Sequence, residues 1–363
     1  MSAYLYPIRM GILVFPIIVL LITLPLFIRH YSKYGSVSKW TMFLDYSFIF
    51  YLICAYFLTI LPLPSIAEVA KFQGPKQQLV PFTFVREFLL HTPFRFNQPT
   101  TWLQTLKSPS FLQPAFNFLL TVPFGCFLRY HFKKSWKQAL VYTFLLTLSF
   151  ECIQRSALFG IYPRPYRLFD VDDLMLNTLG GMFGYAVTAK IEKWLPDKER
   201  MLKAVEAKAE RVSVVRRFSA FCVDVILLVI VSALLPLNAW ESWLMTILLV
   251  VVLPELIFLK TFGMQLVKLK IQSTSRILSI IFRNILGYGL NFTVLGVLLY
   301  ALNKTGTAPE NQLGTLLLII EVCIVFFLAL LVDVILMTVT RSNLLWYERV
   351  SRTQMVNALK KKN

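Results

Sequence analysis

Three aspartates stand close together in the segment RLFDVDDLMLNTLGGMFGY, at the start of an apolar run. Carboxylates such as Asp170, Asp172 and Asp173 bind hard cations, accept hydrogen bonds from a ligand, or exchange protons as general acids and bases. An aspartate at the first turn of a helix also has a structural use, because it caps free N–H groups and favours the helix dipole. We keep both interpretations open for Asp170 and Asp172, and favour a functional one for Asp173, which continues into the apolar run.

Small and polar residues continue the pattern after these aspartates. On a helix, Asp173 and Asn177 share one face with Gly180 or Gly181 and with Gly184, because they recur at spacings of three and four residues. The glycines form a G-x-x-x-G pair, which allows a neighbouring helix to approach closely. The sequence therefore predicts a helix that is polar at one end and tightly packed further along.

Further polar residues lie in the two preceding apolar runs and in the loop directly before the aspartates. A carboxylate near the edge of a membrane needs a partner, and Arg155, Arg164 and Arg167 are close in sequence. We predict a polar pocket between the fourth and fifth apolar runs, closed by an arginine–carboxylate network. The predicted ligand-binding residues are Asn117, Glu151, Gln154, Arg167, Asp170, Asp173 and Asn177.

The composition indicates a membrane protein. Of 363 residues, 57% are hydrophobic and only 15% are charged, which is too apolar for a soluble domain to bury. The net charge is +18, but the basic residues lie between apolar runs, so nucleic acid is not an expected partner. The five cysteines lie in or beside the apolar runs, and we expect no structural disulfide.

Nine runs are long enough to cross a bilayer as helices, which needs about 20 residues. The fold class that they predict is all-α, a polytopic transmembrane helical bundle. The predicted spans are Met10–Ile28, Thr41–Leu63, Phe111–Tyr130, Trp136–Gln154, Asp173–Ile191, Phe218–Leu237, Trp243–Phe258, Leu278–Leu302 and Leu313–Thr340.

Basic residues in the connections predict the orientation. They concentrate after the odd-numbered spans, as at Lys133 and Lys134 after the third and at Lys268 and Lys270 after the seventh. Because basic connections stay in the cytoplasm, the N-terminus is expected outside and the C-terminus inside. The aspartate cluster then faces outward. The outer loop of residues 64–110 mixes aromatic and basic residues, which suits interfacial helices; a lid over the pocket is the alternative.

One charged stretch divides the chain. Residues 191–215 are rich in Ala, Glu and Lys and predict a cytoplasmic linker helix after Pro196. We therefore expect a five-span domain over residues 1–190, this linker, a four-span domain over residues 216–356 and a basic tail over residues 357–363. A solvated linker is preferred to a partner-binding arm.

The first half resembles the VanZ-like family of bacterial membrane proteins. Four ordered motifs carry the resemblance: LVPFTF (79–84), NFLLTVPFG (117–125), FECIQ (150–154) and RLFDVDDLMLNTLGG (167–181). The resemblance implies a multi-pass protein of the bacterial cytoplasmic membrane with a role in the cell envelope. It also implies a link to resistance against the glycopeptide antibiotic teicoplanin, the property associated with the founding member. It implies no defined reaction.

The second half resembles the RDD family of membrane domains. The motifs are RRFSAFCVDVILLVIV (216–231) and KTFGMQLVKLKI (260–271), and two positions depart from the family, Met264 in place of Lys and Glu348 in place of Asp. Some RDD proteins are linked to cation/proton antiport. Acids within apolar runs suggest an ion path or, as the preferred alternative, pairing with Arg217, Lys260, Arg283 or Arg341. The candidate residues are Arg217, Asp224, Glu255, Glu321 and Asp333.

These observations lead to three functional hypotheses. The favoured one is a non-catalytic envelope protein whose outer pocket binds a lipid, a lipid-linked cell-wall precursor or a lipoglycopeptide. The alternatives are a secondary transporter or lipid flippase, and an enzyme in which Glu151 or Asp173 acts as acid or base. We expect no cofactor and no zinc site, because the three histidines are distant; Mg²⁺ bridging a lipid diphosphate stays open. Membrane lipids are expected partners, and the sequence does not define an oligomeric state.

Overall fold

The computed structural model describes residues 2–207, 211–235, 239–273, 275–307, 309–340, 342 and 344–359, and these are mostly helical. The helices are α1 (Ser2–Tyr34), α2 (Lys39–Ile60), α3 (Ile66–Ala70), α4 (Thr83–His91), α5 (Thr100–Leu106), α6 (Pro109–Cys126), α7 (Trp136–Arg155), α8 (Ala157–Gly160), α9 (Val171–Ile191), α10 (Lys198–Ala207), α11 (Val214–Leu234), α12 (Ala239–Ile247), α13 (Leu253–Phe258), α14 (Phe262–Leu266), α15 (Arg276–Asn284), α16 (Leu290–Thr305), α17 (Glu310–Val339) and α18 (Trp346–Val350). The strands are β1 (Gln77–Gln78), β2 (Phe169–Asp170), β3 (Leu269–Ser273) and β4 (Thr353–Asn357).

Seven helices in the described residues are long and apolar enough to cross a membrane. They cover Tyr6–Tyr34, Lys39–Ile60, Pro109–His131, Val214–Leu234, Glu241–Phe258, Ile277–Thr305 and Asn311–Val339. The remaining two predicted spans correspond to α7 and α9, of 20 and 21 residues, which carry the polar residues of the predicted pocket. The helical membrane fold is therefore confirmed in outline, whereas a count of nine spans stays a prediction that depends on α7 and α9.

The outward surfaces of these helices are apolar. In α15, the exposed side chains include Leu278 and Phe282, whereas the buried ones include Arg283 and Asn284. This is the reverse of a helix in a water-soluble protein, where the polar face points outward. A lipid surrounding explains the pattern, because only there does an apolar exterior carry no penalty.

The chain forms two compact units. The first contains residues 1–21 and 39–198, and the second contains residues 22–38 and 199–363. Helix α1 contributes to both. The short helix α10 follows Pro196, and residues 208–210 of the predicted linker lie outside the described part of the chain.

Helices α6, α7 and α9 form the centre of the first unit. Phe124 and Phe150 are buried between them, together with Tyr185. The glycines of α9 allow backbone contact with α6: a Cβ on Gly180 would lie 1.9 Å from the Phe118 carbonyl oxygen. The prediction that the G-x-x-x-G pair permits a close approach is confirmed, and the approaching helix is the third predicted span, not the fourth.

The second unit has a small two-stranded sheet beside its helices. Strands β3 and β4 pair antiparallel, with Leu269 opposite Asn357 and Ile271 opposite Met355. Leu269 and Ile271 face a buried cluster that includes Met264. Two short two-stranded sheets thus supplement the predicted all-α fold; the other pairs β1 with β2 in parallel. Asn357, assigned to the predicted tail, ends β4, and residues 360–363 lie outside the described part.

Candidate functional site

Asp170 begins helix α9. Its side chain accepts a hydrogen bond from the Asp172 backbone N–H at 2.8 Å, so the structural interpretation, a helix cap, describes its position. The Asp170 backbone N–H donates to Glu151 Oε2 at 2.9 Å, and Asp170 pairs with Gln78 in the β1–β2 ladder. Partial burial raises the pKa of Asp170 above its ordinary value. The cluster is therefore tied both to α7 and to the outer loop.

Asp172 holds the outer loop and points away from the predicted pocket. It is buried, and its two oxygens accept from the backbone N–H groups of Phe82 at 2.6 Å and Phe84 at 2.9 Å. Phe82 precedes α4 with a positive φ of 64° and has no side-chain cap of its own. Asp172 thus caps a helix that begins 90 residues earlier in the chain, a role that the sequence analysis missed. The two motifs concerned, LVPFTF and DVDD, were both visible, but nothing in their spacing links them.

Asp173 joins α9 to α6. The Asn117 side-chain amide donates a hydrogen bond to Asp173 Oδ1, and one turn along the Thr121 hydroxyl donates to the Asn177 carbonyl oxygen. Asn177 is buried, and its side-chain Oδ1 has no hydrogen-bond partner among the described residues. The third span, through Asn117, therefore supplies the contact that was expected mainly from the fourth.

Helix α7 contributes Glu151 and Gln154, both buried. Glu151 accepts from the Asp170 backbone, and Gln154 Nε2 donates to the Thr59 carbonyl oxygen in α2 at 3.2 Å. The capping box of Ser135 with Gln138 begins α7 and so sets the register of this face. The two residues are near the aspartates, as expected from their shared face.

The predicted arginine–carboxylate network is wrong. Arg167 donates to the Leu61 carbonyl oxygen at 3.1 Å, and Arg164 donates to the carbonyls of Phe72 and Gly74. Within the described residues, no arginine forms an ion pair with the aspartates of the cluster or with Glu151. The arginines instead satisfy loop carbonyls that lack backbone partners.

A cleft of about 630 Å³ lies between the end of α2, the outer half of α6, the end of α7 and the start of α9. Five of the seven predicted ligand-binding residues line it, and Glu151 and Asn177 do not. The lining residues are Leu58, Leu61, Pro62, Pro109, Leu112, Gln113, Phe116, Asn117, Gln154, Arg167, Leu168, Asp170 and Asp173. Its wall combines two carboxylates, three side-chain amides and one guanidinium with aliphatic and aromatic side chains. Such a wall can bind an amphiphile that has both hydrogen-bond donors and an apolar part.

The cleft offers few groups for metal or covalent chemistry. In the described ranges, no group of three or more His, Cys, Asp or Glu side chains is placed to hold a metal ion.

The outer loop carries the short helices α3, α4 and α5, and several of its aromatic side chains are exposed, Phe96 among them.

The acids of the second unit occupy separate environments. Glu348 Oε1 accepts from Arg217 Nη1 at 2.6 Å and from Arg283 Nη1 at 3.2 Å, and Arg283 Nε lies 3.6 Å from Glu255 Oε2. Asn284 Nδ2 also donates to Glu255 at 2.8 Å. These buried charges form one network, which fits the pairing alternative.

Asp224 and the two acids of α17 lie outside this network. Asp224 accepts from the Thr261 hydroxyl at 2.6 Å and the Gly263 N–H at 2.7 Å, so its pairing with Arg217 is not observed. Asp333, near the C-terminal end of α17, accepts from the Trp346 N–H at 2.8 Å, and Glu321 is exposed on the same helix. These separate contacts favour the pairing alternative over a continuous ion path. Arg341, a predicted partner, lies outside the described residues.

Arg216 is a second buried residue that sequence reasoning missed. Its guanidinium donates to the carbonyl oxygens of Val267 and Lys268 at 2.8 Å each and to Asn357 Oδ1 at 2.9 Å. It therefore connects α11 to the β3–β4 sheet. The sequence signal that could have identified Arg216 is the pair of adjacent arginines at the start of an apolar run. The sequence analysis considered only Arg217 of this pair.

Comparison with known proteins gives a family match that lies within the first unit. Residues 48–192 match the family model described as VanZ/LLP1. The matched VanZ-like segment begins within α2 and ends directly after α9, so it contains every residue of the cleft. No curated protein and no solved structure matches the chain. Together with the seven apolar helices, the match supports a VanZ-like membrane protein; the RDD-like character of the second half stays a prediction.

Proposed function

We propose that the cleft of the VanZ-like segment is an outward-facing receptor for an amphiphile of the bacterial cell envelope, and that its occupancy alters sensitivity to teicoplanin-type glycopeptides. The single observation that carries the proposal is the Asn117–Asp173 pair in the wall of a cleft that is lined about equally by polar and apolar side chains. The pair presents a carboxylate oxygen and amide groups beside space for an acyl chain. A lipid, a lipid-linked cell-wall precursor and a lipoglycopeptide share this chemistry.

The proposal includes a topology. With α7 and α9 added to the seven apolar helices, the chain crosses the cytoplasmic membrane of a bacterium nine times, with the N-terminus outside and the C-terminus inside. The basic residues after α6 and after α9 support this orientation. Helices α7 and α9 are tolerated in lipid because their polar side chains point inward and are hydrogen-bonded within the unit.

The orientation has a direct test. In a variant without the five native cysteines, a single cysteine at Ile161, which is 65% exposed, reacts with an impermeant maleimide on intact cells. A single cysteine at Lys203, in α10, reacts only after the cells are opened. The reverse labelling pattern would invert the topology.

Receptor function is tested by resistance. A deletion strain is complemented with the wild-type protein, Asp173→Asn and Asp173→Ala, and the minimal inhibitory concentration of teicoplanin is measured at matched expression. We expect both variants to lose the resistance, because each removes the carboxylate that contacts Asn117. Leu179→Ala is the matched control, since Leu179 is 56% exposed on the same helix and outside the cleft. Full resistance in the Asp173→Ala strain would remove the functional role of the cleft.

A secondary transporter or lipid flippase is the second candidate. The observation in its favour is that buried acids occur in the second unit, at Asp224, Glu255 and Glu348. Each of these acids is already paired with an arginine, a hydroxyl or a backbone N–H, which favours a structural role over ion transfer. Catalysis has weaker support, because Glu151 lies behind the cleft wall, and Asp173 is the only proposed acid or base that reaches the cleft.

A further inference from the structure

A second cleft, of about 450 Å³, lies entirely within the second unit. It is bounded by α11, α16 and α17, and it shares no residue with the cleft of the VanZ-like segment. Its size is within the range of about 300–1,000 Å³ that holds small ligands. An inference about this cleft therefore stands apart from the function proposed above.

One end of this cleft is rich in hydrogen-bond donors. Arg217 and Arg283 line it, whereas Glu348 and Glu255, the carboxylates paired with them, do not. Arg283 is 2% exposed; its Nη1 donates to Glu348 Oε1 at 3.2 Å, and its Nε faces Glu255 Oε2 at 3.6 Å. A guanidinium has five N–H groups, so one bond to Glu348 and a 3.6 Å ion pair leave donors available.

The one carboxylate that lines this cleft is already engaged. Both oxygens of Asp224 accept hydrogen bonds, from the Thr261 hydroxyl and the Gly263 backbone N–H. The Tyr347 ring stacks on the Arg283 guanidinium at 5.3 Å, which fixes its plane. The polar end therefore offers oriented donors to an incoming acceptor.

The other end of the cleft is apolar and adjoins the lipid-facing surface. Phe292 and Leu295 of α16 and Phe327 and Leu330 of α17 line it. Only 6% of the span that contains α16 is buried, so the surrounding acyl chains lie next to this end. A membrane amphiphile can therefore enter from the side without passing through water.

We propose that this cleft binds one acyl chain whose terminal anionic group, a carboxylate or a phosphate, accepts hydrogen bonds from Arg283 and Arg217. The guanidinium fork matches both anions, which it binds through two parallel N–H donors. The volume of about 450 Å³ is too small for two acyl chains, and the open apolar end lets part of one chain extend into the surrounding lipid. The ligand is thus a free fatty acid or a single-chain phospholipid.

Binding is measured on the full chain in phosphatidylcholine nanodiscs, with a fluorescent polyene fatty acid as the probe. Oleate, lysophosphatidic acid and oleyl alcohol compete in separate titrations. We expect oleate or lysophosphatidic acid to displace the probe, and the better competitor identifies the source of the anion. Oleyl alcohol should bind at least about tenfold more weakly, because it lacks the charge. Equal competition by the alcohol, or none by either anion, would overturn the proposal.

Two tryptophan substitutions locate the site. Leu295→Trp fills the cleft and should weaken probe binding at least about tenfold. Leu299→Trp, one turn further along α16, is the control, because Leu299 is 58% exposed and outside the cleft. Neither change touches the charge network, so both proteins should elute as folded monodisperse species. If Leu295→Trp binds the probe as well as Leu299→Trp, the cleft is not the site.

Discussion

Replacement of Gly180 by alanine tests the contact between α6 and α9. The added Cβ would lie 1.9 Å from the Phe118 carbonyl oxygen, against the 3.4 Å at which ordinary contact begins. The distance is about 1.5 Å too short, and the contacting atoms belong to the backbone, which cannot rotate away. Helix α9 must therefore move away from α6. Overpacking of this kind costs about 1–3 kcal/mol. For a unit of this size we expect the apparent Tm to fall by about 5 °C.

The assay uses a native thiol at the same interface. Cys126 Sγ contacts the Gly184 carbonyl oxygen at 3.5 Å, so a variant in which Cys126 is the single cysteine reports separation of the helices by its rate of labelling during heating. Gly296→Ala is the matched control, since no atom lies within 4 Å of its added Cβ and alanine is the better helix former. If Gly180→Ala labels with the same midpoint as Gly296→Ala, the close contact is refuted.

Three further substitutions follow from the described contacts. Asp172→Ala leaves two backbone N–H groups of the outer loop without partners, so we expect a loss of about 1–3 kcal/mol and faster proteolysis of that loop. Glu348→Gln removes the charge shared by Arg217 and Arg283, and thermal unfolding should show a loss of about 3–5 kcal/mol. Glu192→Gln should cost at most about 1 kcal/mol at neutral pH, because the side chain is partly solvated.

The last of these effects depends on pH. The hydrogen bond from Lys133, and then that from Arg129, lowers the pKa of Glu192 below its ordinary value of 4.5. The stabilisation is therefore present above pH 4.5 in the wild-type protein and is lost as the pH falls through the lowered value. Wild type and Glu192→Gln should converge in acid. A difference that persists after the Glu192 carboxylate has been protonated would contradict the ion pair as its cause.

Controls separate these effects from general loss of folding. For Asp172→Ala, Asp172→Asn retains one acceptor oxygen and should restore part of the loop protection. For Glu348→Gln, loss should appear in a melt of the second unit and leave the labelling of Cys126 in the first unit unchanged. A Glu348→Gln protein as stable as the wild type would show that the network does not depend on its charge.

The sequence was informative wherever the signal is local. Apolar length predicted the helices, and the spacing of Gly180 and Gly184 predicted a close helix contact, because both follow from periodicity alone. Asp173 lines the cleft at the start of α9, whereas Asn177, which was predicted on the same helical face, does not. Partners were less predictable.

The wrong predictions concern contacts between segments that are distant in sequence. Arg167 was close in sequence to the aspartates, but it donates to the Leu61 carbonyl oxygen, whereas Asp172 accepts from backbone N–H groups of the outer loop. The acids of the second unit were placed in order along their spans, yet Glu348, from a short helix near the C-terminus, takes both arginines. Spacing within one helix carries no information on which distant segment returns to it.

The backbone contact between α6 and α9 also limits how the first cleft can respond to a ligand. Asn117 and Asp173 stand on two helices whose backbones touch at Gly180 and Gly184, so the spacing of these backbones does not depend on the rotamer of a side chain between them. This part of the wall therefore keeps the same backbone spacing between α6 and α9 whichever ligand is bound. Adjustment is left to the opposite wall, where Leu61 and Pro62 follow the end of α2. The wall with Asn117 and Asp173 would then determine which ligands fit, and movement of the wall with Leu61 and Pro62 would determine whether they can enter.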